Sequence, residues 1–81
     1  MVTITKHRPN NGGMSLEMYG EKDSVWPAFI DGLDRLNKNR KYIIERVEAA
    51  GNVHYYLTNR RTKKLYTEFQ IEGLLEQDNG K

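Results

Sequence analysis

Eighty-one residues suffice for one domain and leave no room for a second. Without cysteine the chain has neither a disulfide nor a thiolate metal centre to staple it, so stability rests on one apolar core, supplemented by a partner or a second copy. The formal net charge of +2 is unevenly spread: residues 35–64 carry nine basic and two acidic side chains, a balance of +7, against −2 for residues 1–34 and −3 for residues 65–81. A basic middle between acidic ends predicts a positive patch or, more blandly, a solvated face. No apolar run approaches the ~20 residues of a membrane span. The opening Met1-Val2-Thr3-Ile4-Thr5 lacks the basic-then-apolar order of a secretory leader. The expected setting is cytoplasmic and soluble, with no membrane contact, and the lack of cysteine fits it.

In chain order, Val2, Ile4 and Lys6 alternate with Thr3, Thr5 and His7, a short strand with one apolar edge. Pro9-Asn10-Asn11-Gly12-Gly13 collects turn-forming residues, and beyond it Met14, Leu16 and Met18 alternate with Ser15, Glu17 and Tyr19. Two alternating segments around such a loop predict a β-hairpin. A helix is expected from Ser24 to Lys38, with Ser24 as N-cap and Pro27 in the first turn. Trp26, Phe29, Ile30, Leu33 and Leu36 form its apolar stripe, while Asp31–Arg35 and Asp34–Lys38 are acid-before-base pairs on the other side.

The rest predicts a meander of strands 41–48, 53–59 and 64–69, reversing at Gly51-Asn52 and at Arg60-Arg61-Thr62-Lys63. One face of the first two strands collects Tyr42, Ile44, Val53, Tyr55 and Leu57. The other collects Ile43, Glu45, Val47, His54, Tyr56 and Thr58. A three-residue second turn would align Leu65 and Phe69 with Leu57, whereas an even-length turn would bring Tyr66 there instead. The three-residue turn concentrates the apolar residues better and is preferred. Ile71, Leu74 and Leu75 predict a short terminal helix over residues 70–77, with 78–81 frayed. The expected fold is a single α+β domain over 1–81, an antiparallel sheet packed by one main helix in the order β-β-α-β-β-β-α.

No constellation supports catalysis, a metal or a cofactor. Ser15 and Ser24 lie outside any nucleophile-elbow context. His7 and His54 sit in separate strands without metal-ligand spacing; His54 is expected partly exposed and His7 solvated. Asn11-Gly12-Gly13 precedes a strand, not a helix, and no Gly-Lys-Ser/Thr follows, so phosphate-loop signatures are missing. Glu45 and Glu48, three apart in a strand, point to opposite faces. Glu68, Glu72 and Glu76, at helical spacing, read as a solvated helix face.

The face left uncovered by the helix should carry Ile43, Val47, His54, Tyr56 and Tyr66, with Arg60, Arg61, Lys63 and Lys64 at its end and Arg40 and Lys41 nearby. Tyrosine and arginine are enriched at interface hot spots, and the same pair of chemistries stacks on bases and contacts phosphates. A cross-strand Tyr56–Tyr66 pair that merely stiffens the sheet is the competing reading. Two functions follow. The first is a non-enzymatic protein-interaction module, a regulator, adaptor or inhibitor, with a homodimer as one form. The alternative is a nucleic-acid-binding domain using the basic turn and the sheet tyrosines. The element order resembles double-stranded-RNA-binding domains in outline, but the terminal helix is too short and lacks a lysine cluster at its start. The chain is not assigned to that family. Small size without catalytic residues is also a composition shared with phage-encoded regulators, and it leans towards the first function.

Overall fold

A computed structural model of the chain describes residues 1–9 and 12–75. Its elements are β1 (Val2–Arg8), β2 (Gly13–Gly20), α1 (Lys22–Leu36), β3 (Tyr42–Ala49), β4 (Asn52–Asn59) and β5 (Leu65–Glu72). All paired strands are antiparallel, and the sheet order is β2-β1-β5-β4-β3. The expected α+β architecture holds. Over residues 70–74 the terminal helix does not: Ile71 lies in β5, which continues to Glu72, and Gly73 then turns the chain at φ +90°. Residues 76–81 of that expectation lie outside the described residues.

The topology explains the helix length. β2 and β3 occupy opposite edges, so the connection between them must cross the whole sheet. β2 ends at Gly20 beside Val2 and β3 starts at Tyr42 beside Asn59, at opposite ends of the strands, so α1 runs lengthwise. Val25 meets Gly20, and Leu33 and Leu36 lie by Lys6, Glu17 and Met18. The 15 residues of the helix at ~1.5 Å per residue span about 22 Å. α1 therefore roofs one face, burying Val25, Phe29 and Leu33 against Val2, Ile4, Val53, Tyr55, Leu57, Phe69 and Ile71. Phe29 sits among three rings, Trp26, Tyr55 and Phe69, with centroids 5.6, 5.6 and 5.2 Å away. Leu36, the last member of the expected stripe, is exposed.

The helix is displaced towards its N-terminus relative to the sequence reading. Glu21, not Ser24, is the N-cap: its carbonyl accepts from Ser24 and Val25, and no side chain caps the helix. Ser24 has helical geometry, Val25 joins the buried face, and Pro27 falls in the second turn, where it supplies no N–H for the Asp23 carbonyl. At the other end Asn37 stops the helix, and its Oδ1 accepts from the Tyr42 N–H at 2.8 Å. Asp31–Arg35 forms at 3.0 Å, but Lys38 lies beyond the last turn and the Asp34–Lys38 pair is absent.

Both hairpins of the meander depart from expectation in an informative way. The β3–β4 turn centres on Ala50-Gly51 rather than Gly51-Asn52, because Ala49 pairs with Asn52. Both central residues have positive φ, +55° and +80°, as a two-residue type I′ hairpin turn requires. Parity is unchanged, so the two predicted face assignments stand. In the second hairpin Asn59 N–H donates to the Lys64 carbonyl. This encloses four residues, not three. A bulge then follows: Leu57 pairs with Thr67 but Thr58 pairs with Leu65, leaving Tyr66 as the extra residue. Phe69 reaches the helix-covered face as expected, while Leu65 and Tyr66 exchange sides.

A second bulge lies in the first hairpin. Ile4 pairs with Met18 and Thr5 with Leu16, so Glu17 is the extra residue. Met18 consequently joins the core margin, while Met14 and Leu16 turn to the opposite face with Tyr19.

Candidate functional site

Each strand contributes to the face that α1 leaves uncovered, and the pairing register defines its rows. One row runs Leu16–Thr5–Gln70–His54–Val47 across all five strands. The next runs Met14–His7–Glu68–Tyr56–Glu45. Ile43 and Leu65 flank Thr58 below, and Tyr19 lies beside Thr3 above. Apolar side chains thus form two rails at the sheet edges: Met14, Leu16 and Tyr19 on β2, each more than 60 % exposed, and Ile43 and Val47 on β3.

The centre between the rails is polar and internally bonded. His54 Nδ1 and Glu68 Oε2 lie 2.8 Å apart, and the His54 ring stacks on Tyr56 at 6.3 Å. His7, opposite Glu68 on β1, is half-buried rather than solvated, and its Nε2 is buried with no hydrogen-bond partner. Its main-chain carbonyl accepts a 2.6 Å bond from the fully buried Thr67 hydroxyl. Glu68 and Glu72 belong to a strand and project on this face, not from a helix.

The basic residues gather at one end of the molecule. The loop after α1 brings Arg40 and Lys41 beside Arg60 and Arg61 of the β4–β5 turn. Together with Asn39 and Asn59 they line a hollow of about 470 Å³. Arg60 is fixed to the main chain: its N–H donates to the Lys41 carbonyl, its Nε to the Arg40 carbonyl at 3.0 Å and its Nη2 to the Tyr42 carbonyl at 3.5 Å. Asn59 Oδ1 accepts from the Arg61 and Thr62 N–H groups, both at 2.9 Å, and holds the turn in shape. Arg40 and Lys63 take left-handed φ values of +57° and +65°, a strain on the order of 1 kcal/mol each for residues with a Cβ.

Charge pairing separates this end from the rest of the basic segment. Arg35 pairs with Asp31, and Arg46 donates to Glu48 at 2.7 Å, a bond that raises the Arg46 pKa further above its ordinary value. Among the described residues Lys38, Arg40, Lys41, Arg60, Arg61, Lys63 and Lys64 form no ion pair.

The nine partner-binding residues expected from sequence therefore do not form one surface. His54 and Tyr56 lie on the open face. Arg40, Lys41, Arg60 and Arg61 line the hollow, with Lys63 and Lys64 in the same turn. Tyr66 is corrected to the helix side: it stacks on Tyr42 with centroids 4.9 Å apart, and Lys6 Nζ lies 5.6 Å from its ring. No Tyr56–Tyr66 pair forms. Sequence reasoning missed the Met14–Leu16–Tyr19 rail, because the Glu17 bulge that exposes it leaves no mark in the alternation of residue types.

No helix is long and apolar enough to cross a membrane, and no cluster of three His, Cys, Asp or Glu side chains could hold a metal ion, both among the described residues. Compared with protein-family models, curated proteins and solved structures, the chain finds no match.

Proposed function

We propose that this chain is a non-enzymatic interaction module that docks the uncovered face of its sheet onto a folded protein partner. The observation that carries the reading is the pair of exposed apolar rails on a five-stranded face with no covering element among the described residues. Isolated apolar side chains on a surface need no explanation, but an aligned set on one rigid face marks an interaction surface. Five strands at ~4.8 Å and six residues at ~3.3 Å outline about 500 Å². That is a large part of the roughly 800 Å² that each partner contributes to a standard interface.

The matching partner places apolar side chains over the rails and hydrogen-bonding groups over the His7–Glu68–His54–Tyr56 centre. Pairing of His54 with Glu68 and stacking of His54 on Tyr56 hold those three side chains in place before contact, which lowers the ordering cost of binding. Such a module serves a regulator, adaptor or inhibitor.

The test is quantitative affinity capture from the source cell with wild type and a Leu16→Glu/Val47→Glu variant, which charges both ends of one row. Both positions are exposed, so the fold tolerates the change. A protein enriched on wild type, depleted on the variant and bound directly when purified would support the reading. Capture of the same proteins by both folded baits would refute it, and a wild-type dimer abolished by the variant would assign the face to a second copy.

A further inference from the structure

We infer that the basic end binds single-stranded nucleic acid, running successive backbone phosphates past the cations of the hollow lined by Asn39, Arg40, Lys41, Asn59, Arg60 and Arg61, with a base against Tyr66. This site is separate from the open sheet face and does not depend on the docking reading above.

The hollow concentrates four cationic residues with no carboxylate in its lining and no ion pair to any of them among the described residues. Like charges gathered in a concavity repel, and an anion seated among them removes that repulsion. The walls are also fixed in advance. Two main-chain carbonyls hold the Arg60 guanidinium by Nε and Nη2, leaving the rest of its planar donor fork uncommitted. Asn59 pins the backbone that carries Arg61. A preformed fork of this kind suits the oxygens of a phosphate.

One feature opposes an anion here: the C-terminus of α1 enters the same loop. Its partial charge is roughly −0.5, and its carbonyls at Leu33 and Arg35, with that of Asn37, already accept from Asn37, Lys38 and Arg40. Half a negative charge, internally satisfied, does not outweigh four full positive ones.

The aromatic pair selects among anions. The main-chain carbonyl that receives Arg60 is that of Tyr42, whose ring stacks on Tyr66. Tyr66 is 41 % exposed, and a base reaching it displaces Lys6 Nζ, which lies over the ring at 5.6 Å. A basic groove beside a stacked aromatic platform is the arrangement by which single strands are held without sequence preference, since every base offers a π-face. An acidic peptide would use the charges and leave the ring idle. A duplex keeps its base faces stacked and out of reach.

Fluorescence anisotropy with mixed-sequence 12-nucleotide DNA and RNA strands tests this. With four phosphate contacts, log affinity should fall against log salt with a slope of about −2.8. That is about a 50-fold loss between 50 and 200 mM salt. Arg60→Ala/Arg61→Ala should flatten the slope to about −1.4. Lys41→Gln/Arg61→Gln, which leaves the Arg60 bonds intact, should do the same and keeps the test valid if the first variant fails to fold. Tyr66→Ala should weaken binding about five-fold or more with the slope unchanged, and Leu16→Glu/Val47→Glu should bind as wild type. No binding at 50 mM salt, an unaltered slope in the folded arginine variants, or full affinity in Tyr66→Ala would overturn the inference. So would equal affinity for duplex or for polyglutamate, the latter assigning the end to an acidic protein surface.

Discussion

Replacing Phe29 probes whether α1 is held by the ring cluster beneath it. The side chain is 3 % exposed and touches Trp26, Tyr55 and Phe69, two of them edge-on at interplanar angles near 78° and 77°. Truncating a buried phenylalanine to alanine costs about 3–5 kcal/mol, and each edge-to-face pair contributes about 0.5–1.5 kcal/mol beyond area burial, so the upper half of the range applies. A domain of this length has roughly 4–12 kcal/mol in total. Phe29→Ala should therefore remove about a third or more of that stability. Phe29→Leu keeps most of the volume and loses the ring geometry, at about 1–2 kcal/mol. At about 4–8 °C per kcal/mol for a domain this size, its melting midpoint should fall by about 5–15 °C. Leu36→Ala is the control, since that residue is 41 % exposed; its midpoint should stay within about 5 °C of wild type. Thermal denaturation followed by far-UV circular dichroism measures all three. Wild-type melting of Phe29→Leu, or equal damage from Leu36→Ala, would mean that the helix presents a different face to the sheet.

Two further substitutions test the ends of the core. Gly73 has φ +90°, and a Cβ there would collide with the Met1 carbonyl oxygen and crowd the Met1 carbonyl carbon. Gly73→Ala should cost at least about 2 kcal/mol, seen as a melting midpoint lowered by about 10 °C or more; an unchanged midpoint would show that the N-terminus is not seated on this turn. Thr67→Val is close to isosteric but removes the hydroxyl that donates to the His7 carbonyl. Urea denaturation should find it about 1–2 kcal/mol less stable, and equal stability would deny that bond a structural role.

The fold class was legible because each element carries its own period. Trp26, Phe29, Ile30 and Leu33 mark a helix, and alternation at Val53, Tyr55 and Leu57 marks a strand whose inner face is the core. Boundaries were less legible. Ser24 attracts the N-cap assignment by residue type, yet the Glu21 carbonyl starts the helix, because backbone acceptance alone can open it. Ile71, Leu74 and Leu75 match a helical spacing, but Ile71 is committed to the sheet by its pairing with Ile4 and Val53, partners 67 and 18 residues away. Local periodicity carries no information about such partners.

The candidate surfaces were divided by two features that residue types do not encode. Each bulge inserts one residue into a strand and inverts the facing of everything beyond it. At Glu17 the inversion places Met18 beneath the helix side and leaves Met14 and Leu16 on the open face, so an apolar rail forms from residues that alternation assigns to a single side with Met18. At the second hairpin the four-residue turn carries the Tyr66 ring away from His54 and Tyr56 and onto Tyr42, and the bulge after it returns Phe69 to the helix side. A surface expected to combine tyrosines with the basic turn thus becomes two: a rigid sheet face with apolar edges, and a charged hollow with an aromatic platform. Their chemistries respond to different variables. Binding on the rails should be insensitive to salt, because it removes apolar area from water, whereas binding in the hollow should follow counterion release. Salt dependence assigns a partner to its surface before any residue is changed.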